Sequence, residues 1–455
     1  MPLYTPRAAA SPAPIARRRD VLFASAGAVM EWYDFMLFAY LAPVFAKVFF
    51  PGSAGPTALL ETLAIFAAGF LMGPVGSFYF GSKGDRKGRK WVLTVTVGMM
   101  IFPMMATSML PGYATIGIAA PILLLIMRLI QGFAVGGQYG GVMVVMIESA
   151  SAGRRGRVAS YATMTSGVGV LLAACVAASL TYLSTPAGLE SWAWRIAYVF
   201  GTILTIIVFI LRTKMSETES FSAMRRSGTL SPAPIRDTFR FQWRTLVKTV
   251  AISGYANVVY YMIASYIPTY LTVVYGFQST KSLVIVSIFS AIFAISAPLW
   301  GSLTDRVGRK RPLAISVGFI ILISVPCFAA FSTGSSGWTY LSVIALSLPL
   351  MAIWGSYGAL GPEMFPAKFR STGTTISYNI GNSVFGGTVP FAATALIAIT
   401  GWNWSPALIL LVGSLLMIPV LRHTRETAFC DLAALDASAP ANKPGPSEMT
   451  AEPRA

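Results

Sequence analysis

The sequence predicts an all-α polytopic membrane protein with twelve transmembrane helices in two pseudo-symmetric six-helix bundles. Three observations carry this. Of 455 residues, 55% are hydrophobic and only 11% charged, against roughly 25% charged in soluble domains, and the mean hydropathy is +0.66. Apolar runs of the length a bilayer needs, about 20 residues, recur along the chain. A charged turn also occurs twice, as Gly81-Ser82-Lys83-Gly84-Asp85-Arg86-Lys87-Gly88-Arg89-Lys90 and as Gly301-Ser302-Leu303-Thr304-Asp305-Arg306-Val307-Gly308-Arg309-Lys310. Each copy lies between two apolar runs, as expected of two repeats of one membrane bundle.

The runs fall at about 21–46, 57–81, 91–110, 120–148, 158–184 and 193–213, then 245–274, 282–303, 313–332, 338–361, 371–400 and 404–422. The first six form a bundle over 21–213 and the last six a bundle over 245–422. The charged turn follows the second and the eighth run, the equivalent places in the two bundles. A basic linker over 214–244 joins them. Residues 1–20 form an N-terminal tail, and the Pro- and Ala-rich stretch 423–455 a disordered C-terminal one. Glycines within runs, such as Gly69, Gly73 and Gly76 or Gly132, Gly136 and Gly140, allow helix backbones to approach closely.

The net charge of +17 raises the question of a nucleic-acid partner. Its distribution answers no. Thirty of the 34 Lys and Arg fall before the first run, in alternate loops, or in the C-terminal tail. That is the positive-inside bias, and it puts both termini in the cytoplasm. Cys175, Cys327 and Cys430 are too scattered for a disulfide framework or a metal site. His423 is the only histidine, and no phosphate-binding Gly-x-x-x-x-Gly-Lys-Ser/Thr loop occurs. An enzyme, a cofactor and ATP-driven transport are therefore not expected. Nothing demands an oligomer, and a monomer is expected.

An ionisable group within a bilayer span is costly, so it is a functional candidate. Of the 17 acids, two fall in the middle of a run: Glu31 and Asp34, spaced i, i+3 on one face of the first helix. A carboxylate that carries a proton near the midplane is therefore one of these. Arg128 is read as the only basic residue well inside a run. Its partner is either the Glu31/Asp34 pair or a substrate carboxylate held in bidentate fashion. Gln131 lies one turn further on the same helix. The second half offers Tyr260, Tyr261, Asn379 and Asn382 as polar candidates for the substrate.

Several segments resemble the major facilitator superfamily and, within it, the metabolite–proton symporter family. The doubled turn matches the superfamily. Glu31-Trp32-Tyr33-Asp34-Phe35, Arg128-Leu129-Ile130-Gln131-Gly132-Phe133, Trp194-Arg195-Ile196 and Pro362-Glu363-Met364-Phe365-Pro366 resemble the narrower family. Pro111-Gly112-Tyr113-Ala114-Thr115-Ile116-Gly117 and Ile267-Pro268-Thr269-Tyr270 are similar to bacterial citrate and tricarballylate carriers. The chain departs at Gln138, where the family often has a titratable Glu. The resemblance implies a secondary active transporter that works by alternating access, importing citrate or a related tri- or dicarboxylate with protons. A proton-coupled proline/betaine-type carrier is the alternative. A drug–proton antiporter fits less well, because the fifth run has Gly167 and Gly169 without an accompanying Pro.

The doubled turns, with their arginines Arg86, Arg89, Arg306 and Arg309, are expected to latch the two halves on the cytoplasmic side. Glu148 and Glu363, at equivalent helix ends, complete the latch. Asp85 and Asp305 are expected to make charge-assisted contacts with helix ends and nearby arginines, Asp85 with Arg154, Arg155 or Arg157 and Asp305 with Arg370.

Overall fold

The computed structural model describes residues 15–53, 55–277 and 279–437. The first half contains α1 (Ile15–Phe49), α2 (Gly55–Lys87), α3 (Arg89–Met109), α4 (Ala119–Ser149), α5 (Arg155–Leu183) and α6 (Pro186–Thr213). The second contains α7 (Pro234–Tyr266), α8 (Ser279–Val307), α9 (Lys310–Phe331), α10 (Ser336–Glu363), α11 (Ala367–Thr400) and α12 (Ala407–Arg422). Large apolar side chains such as Phe102, Leu299 and Leu322 remain exposed on the periphery, at 63, 69 and 71%. Asp34, Arg128 and Gln131 are buried inside. This is the distribution that a lipid solvent selects, since lipid accepts apolar side chains and leaves polar ones to pair within the protein.

Each expected run corresponds to a helix, and among the described residues eleven helices are long and apolar enough to cross a membrane. The twelfth is shorter. Residues expected to open it form a turn, with the Ala407 N–H on the Trp404 carbonyl at 3.0 Å. The helix that follows has 16 residues, roughly 24 Å at 1.5 Å per residue.

Two boundaries differ from expectation. The linker is not continuous loop: Glu219–Arg226 is a short helix, and α7 starts at Pro234 and kinks at Gln242. The C-terminal tail is not disordered from its start. Residues up to 437 are placed, with a short helix over Leu432–Ala437, and they bond to the bundle as described below. Residues 1–14 and 438–455, also read as tail, lie outside the described residues.

The halves meet through α2 against α11 and α5 against α8. The second contact is close enough to need glycine. A Cβ on Gly301 would sit 2.4 Å from the Gly156 carbonyl oxygen. Two second-half helices are interrupted by a π turn: Met262–Tyr266 in the α7 span and Gly381–Gly386 in the α11 span. Pro268 and Pro390 follow these turns. A proline has no N–H to give the carbonyl four residues earlier, so the helix re-registers around it. The first turn begins just after Tyr261, and the second contains Asn382.

Candidate functional site

The residues expected to serve transport separate into three places.

The first is a polar core inside the first half. Arg128 and Gln131, one turn apart on α4, both reach the Asp34 carboxylate on α1. Arg128 Nη1 donates to Asp34 Oδ2 at 3.0 Å and Gln131 Nε2 donates to Oδ1 at 3.0 Å. Arg128 Nη2 donates to the Tyr198 hydroxyl of α6 at 2.7 Å, and its guanidinium lies 4.1 Å from the Phe38 ring centroid. Asp34 is fully buried and Arg128 is 1% exposed. Both carboxylate oxygens are paired, which such burial requires. Arg128 and Gln131 therefore do not line the space between the halves, as they would if they held a substrate in this state. Gln138 donates from Nε2 to the Gly27 carbonyl at 2.6 Å, tying α4 to α1.

The second is a small cavity between the halves. Glu31 faces it, and its Oε2 has no hydrogen-bond partner among the described residues. Trp32, Phe35, Phe70 and Val135 of the first half and Tyr261, Tyr378 and Asn382 of the second complete the wall. The open space is about 10 Å³, about what one water needs. Among the described residues no hydrogen bond joins Glu31 to Asp34. Their i, i+3 spacing turns one toward the cavity and the other toward α4. Tyr261 and Asn382 thus line the cavity. Tyr260 stands beside it in an aromatic cluster, with its ring centroid 5.2 Å from Trp32 and 5.9 Å from Trp354. Asn379 does not face the cavity. It donates to the Gly136 carbonyl across the halves at 2.8 Å. Tyr378, stacked on Tyr139 at 4.7 Å, was not among the preferred candidates. Trp32 and Phe35 flank the two acids in sequence, and that adjacency was the available signal for them.

The third place is the face that carries the doubled turns, called here the basic face. Each turn passes its helix direction through a glycine of positive φ, Gly88 at 109° and Gly308 at 97°. Asp85 accepts from the Ser371 and Thr372 N–H groups of α11 at 3.1 and 2.8 Å. Asp305 accepts from the Gly156 and Arg157 N–H groups of α5 at 2.8 and 2.9 Å. The expected partners are therefore exchanged. Asp85 meets the helix that carries Arg370, and Asp305 the helix that carries Arg155. The packing explains it, because α2 lies on α11 and α8 on α5. Glu148 pairs with Arg89 at 3.1 Å and Arg370 at 3.4 Å, while Glu363 pairs with Arg309 at 3.2 Å and Arg155 at 3.3 Å. The basic face is closed across the halves. Arg86, Arg306 and Arg154 take no part: all three are exposed, and none has an ion-pair partner among the described residues.

A further repeat lies at the same face and was missed in the sequence. After α6, Glu217 accepts from the Arg89 N–H at 3.0 Å, and Thr218 Oγ1 donates to Glu148 at 2.6 Å. After α12, Glu426 accepts from the Arg309 N–H at 2.8 Å, and Thr427 Oγ1 donates to Glu363 at 2.6 Å. The shared dipeptide Glu-Thr was the signal. Burial opposes the Glu426 charge, but backbone N–H groups of Arg309, Ala428, Lys310 and Thr427 outweigh it and hold the carboxyl below its ordinary value. At Glu217 burial wins and the carboxyl is raised. The tail also crosses between the halves. Asp436 pairs with Arg370 at 2.9 Å, and Arg155 Nη2 donates to the Cys430 carbonyl at 2.8 Å. Arg212, counted with the loops, is also buried: it donates to the Leu93 and Ala24 carbonyls at 2.6 and 2.7 Å.

The Major Facilitator Superfamily model matches residues 24–387. The chain is 33% identical over 417 residues to the alpha-ketoglutarate permease of Escherichia coli (strain K12), covering 89% of this chain and 94% of the relative. It is 33% identical over 395 residues to the citrate-proton symporter of Klebsiella pneumoniae, covering 86% and 88%. It is also 33% identical over 406 residues to an ectoine/proline transporter of Corynebacterium glutamicum, covering 85% and 80%. The fold matches the proton:xylose symporter XylE bound to 6-bromo-6-deoxy-D-glucose with a TM-score of 0.79 and 17% identity, covering 93% of this chain and 99% of that one. Equal identity to three differently named carriers does not single out citrate. This multi-pass membrane protein, a transporter and not an enzyme, belongs to the Major Facilitator Superfamily and, within it, to the metabolite–proton symporter family.

Proposed function

We propose that the protein imports a small carboxylate-bearing metabolite with protons across the bacterial inner membrane by alternating access. The basic face and both termini are then cytoplasmic. The observation that carries the coupling is the buried Arg128–Asp34 pair. A proton taken up by Asp34 cancels its charge and frees Arg128 Nη1. The freed guanidinium is then available to a substrate carboxylate, and return of Arg128 to Asp34 expels the proton on the other side.

Citrate, alpha-ketoglutarate, proline and ectoine all carry a carboxylate, and these are the cargoes that the relatives' names give. A tri- or dicarboxylate, the first expectation, needs positive charge in the cavity. Arg128 is the cation beside the acids, Arg212 is tied to the Leu93 and Ala24 carbonyls, and Glu31 adds a carboxylate to the wall. A zwitterion suits the groups on this lining once the walls part and Arg128 leaves Asp34. Its cationic nitrogen meets Glu31 and the faces of Trp32, Tyr261 and Tyr378, and its carboxylate meets Arg128. The geometry favours the zwitterion.

Uptake of labelled citrate, alpha-ketoglutarate and proline into proteoliposomes with an imposed proton gradient tests this. Gradient-driven proline accumulation that Glu31→Gln lowers and Asp34→Asn abolishes supports it. Citrate accumulation that Glu31→Gln leaves unchanged returns the tricarboxylate reading and makes Glu31 structural.

A further inference from the structure

On the flank of the first half, where the α4–α5 turn meets the start of α1, lies a groove of about 590 Å³. Its walls are mostly apolar, with Val21 and Leu22 from α1 and Val158, Tyr161 and Met164 from α5, interspersed with Ser25, Ser149, Ser151 and Thr165. Leu22 is 64% exposed, so this flank belongs to the lipid-facing periphery. The rim toward the basic face carries Arg154 and Arg157. Both are exposed, and among the described residues neither side chain has an anionic partner. Arg155 between them is buried and paired with Glu363. Two free guanidinium groups above an apolar slot make an amphipathic receptor. Basic pockets between spanning helices on the cytoplasmic side suit anionic lipid headgroups.

We propose that this groove binds one anionic phospholipid of the inner leaflet, with its phosphate on Arg154 and Arg157 and an acyl chain along α1 and α5. The inference rests on the basic face being cytoplasmic, and not on the substrate. Residues 1–14, which precede α1 beside the groove, are the rival occupant. They contain Arg7 and no acid, so they add charge of the same sign as the rim. The site adjoins the latch, because the Gly156 and Arg157 N–H groups bind Asp305. A lipid held there braces the α5 end of the closed basic face.

Phosphatidylglycerol, phosphatidylcholine and soluble glycerol phosphate are titrated onto the full-length protein in detergent, and bound lipid is counted by native mass spectrometry. Wild type should retain phosphatidylglycerol well above phosphatidylcholine. The Arg154→Gln/Arg157→Gln variant should bind it about thirtyfold more weakly, at about 1 kcal/mol per basic side chain beside an anionic group. A charge-matched Arg240→Gln/Arg244→Gln variant, whose exposed arginines lie outside the groove, checks that the loss is local and that the fold tolerates lost charge. Soluble glycerol phosphate should not compete. Equal loss in both variants, unchanged binding in the first, or full competition by glycerol phosphate overturns the proposal. So does tighter binding after removal of residues 1–14, which would make that segment the occupant.

Discussion

Asp305→Asn isolates one strand of the latch. The wild-type carboxylate accepts two backbone N–H groups from the opposite half, at 2.8 and 2.9 Å. Asparagine keeps the shape but only one acceptor oxygen, and its amide nitrogen then faces an N–H donor. One charge-assisted bond to the opposite half is lost, worth roughly 1.5–3 kcal/mol, while the pair with Arg309 at 2.9 Å lies within the second half and weakens in both states. At about 1.4 kcal/mol per tenfold, the ratio of closed to open basic face falls between about tenfold and about a hundredfold. Arg86 and Arg306 are exposed, lie in opposite halves and stand outside the latch, so they suit spin labels after conversion to cysteine in a background without native cysteines. Electron–electron distance measurements in nanodiscs should show one short population in the parent and a second, longer one in Asp305→Asn. An unchanged distribution would refute the view that this carboxylate helps set the conformational equilibrium.

Asp34→Asn should abolish gradient-driven uptake while counterflow exchange of substrate persists. It should also lower the thermal midpoint, since removing one partner of a buried ion pair costs about 3–5 kcal/mol. Glu31→Gln should weaken a zwitterionic substrate between tenfold and about a hundredfold, from loss of one charged contact of roughly 1.5–3 kcal/mol, read as a shift in half-saturating concentration. Glu426→Gln should lower the thermal midpoint at neutral pH. The Glu426 carboxyl is held below its ordinary 4.5, so its contribution is present above 4.5, and the gap between variant and parent should close as pH falls below it. At Glu217 the carboxyl is raised from 4.5, so the sign reverses: the native acid contributes fully below 4.5 and loses ground to Glu217→Gln as pH rises. Removing the chain from Glu426 onward should widen the same Arg86–Arg306 distance distribution, because the tail bonds to Arg155, Arg309 and Arg370.

The fold was legible because a bilayer imposes long apolar runs and because the charged turn is repeated within matching apolar context. Helix ends were less legible. Pro406 and the turn before it shorten α12, and the kink at Gln242 lets α7 begin inside what reads as polar linker. The acids Glu31 and Asp34 were found by elimination, since position in an apolar run is visible in sequence. The direction each faces was not. Residues three apart on a helix differ by about 60° around its axis at 3.6 residues per turn, enough to send one into a cavity and the other into a bundle core. The exchanged latch was hidden for a related reason: which half a turn touches depends on how the two bundles pack, and neither repeat encodes that alone. The Glu-Thr repeat was visible but short, and only the amides of Arg89 and Arg309 give it meaning.

Four consecutive residues of α1 touch four surroundings. Glu31 faces the cavity, and Trp32 packs edge-on against Tyr260 of the second half. The Tyr33 hydroxyl donates to the Ala197 carbonyl of α6 at 2.8 Å, and Asp34 pairs with Arg128 of α4. A substrate that enters a cavity of about 10 Å³ must push these walls apart. Glu31 and Trp32 then move with the stretch of helix that holds Asp34. Close-packed interiors do not deform continuously, so the displacement falls on contacts that have an alternative arrangement. On the proposed coupling the Arg128–Asp34 pair has one, because protonation would leave Asp34 neutral and Arg128 free for a carboxylate. Linkage makes the effect reciprocal: whatever factor substrate adds to proton binding, the proton adds to substrate binding. On this reading coupling needs no contact between cargo and proton. It needs one helix on which both sites stand a single turn apart.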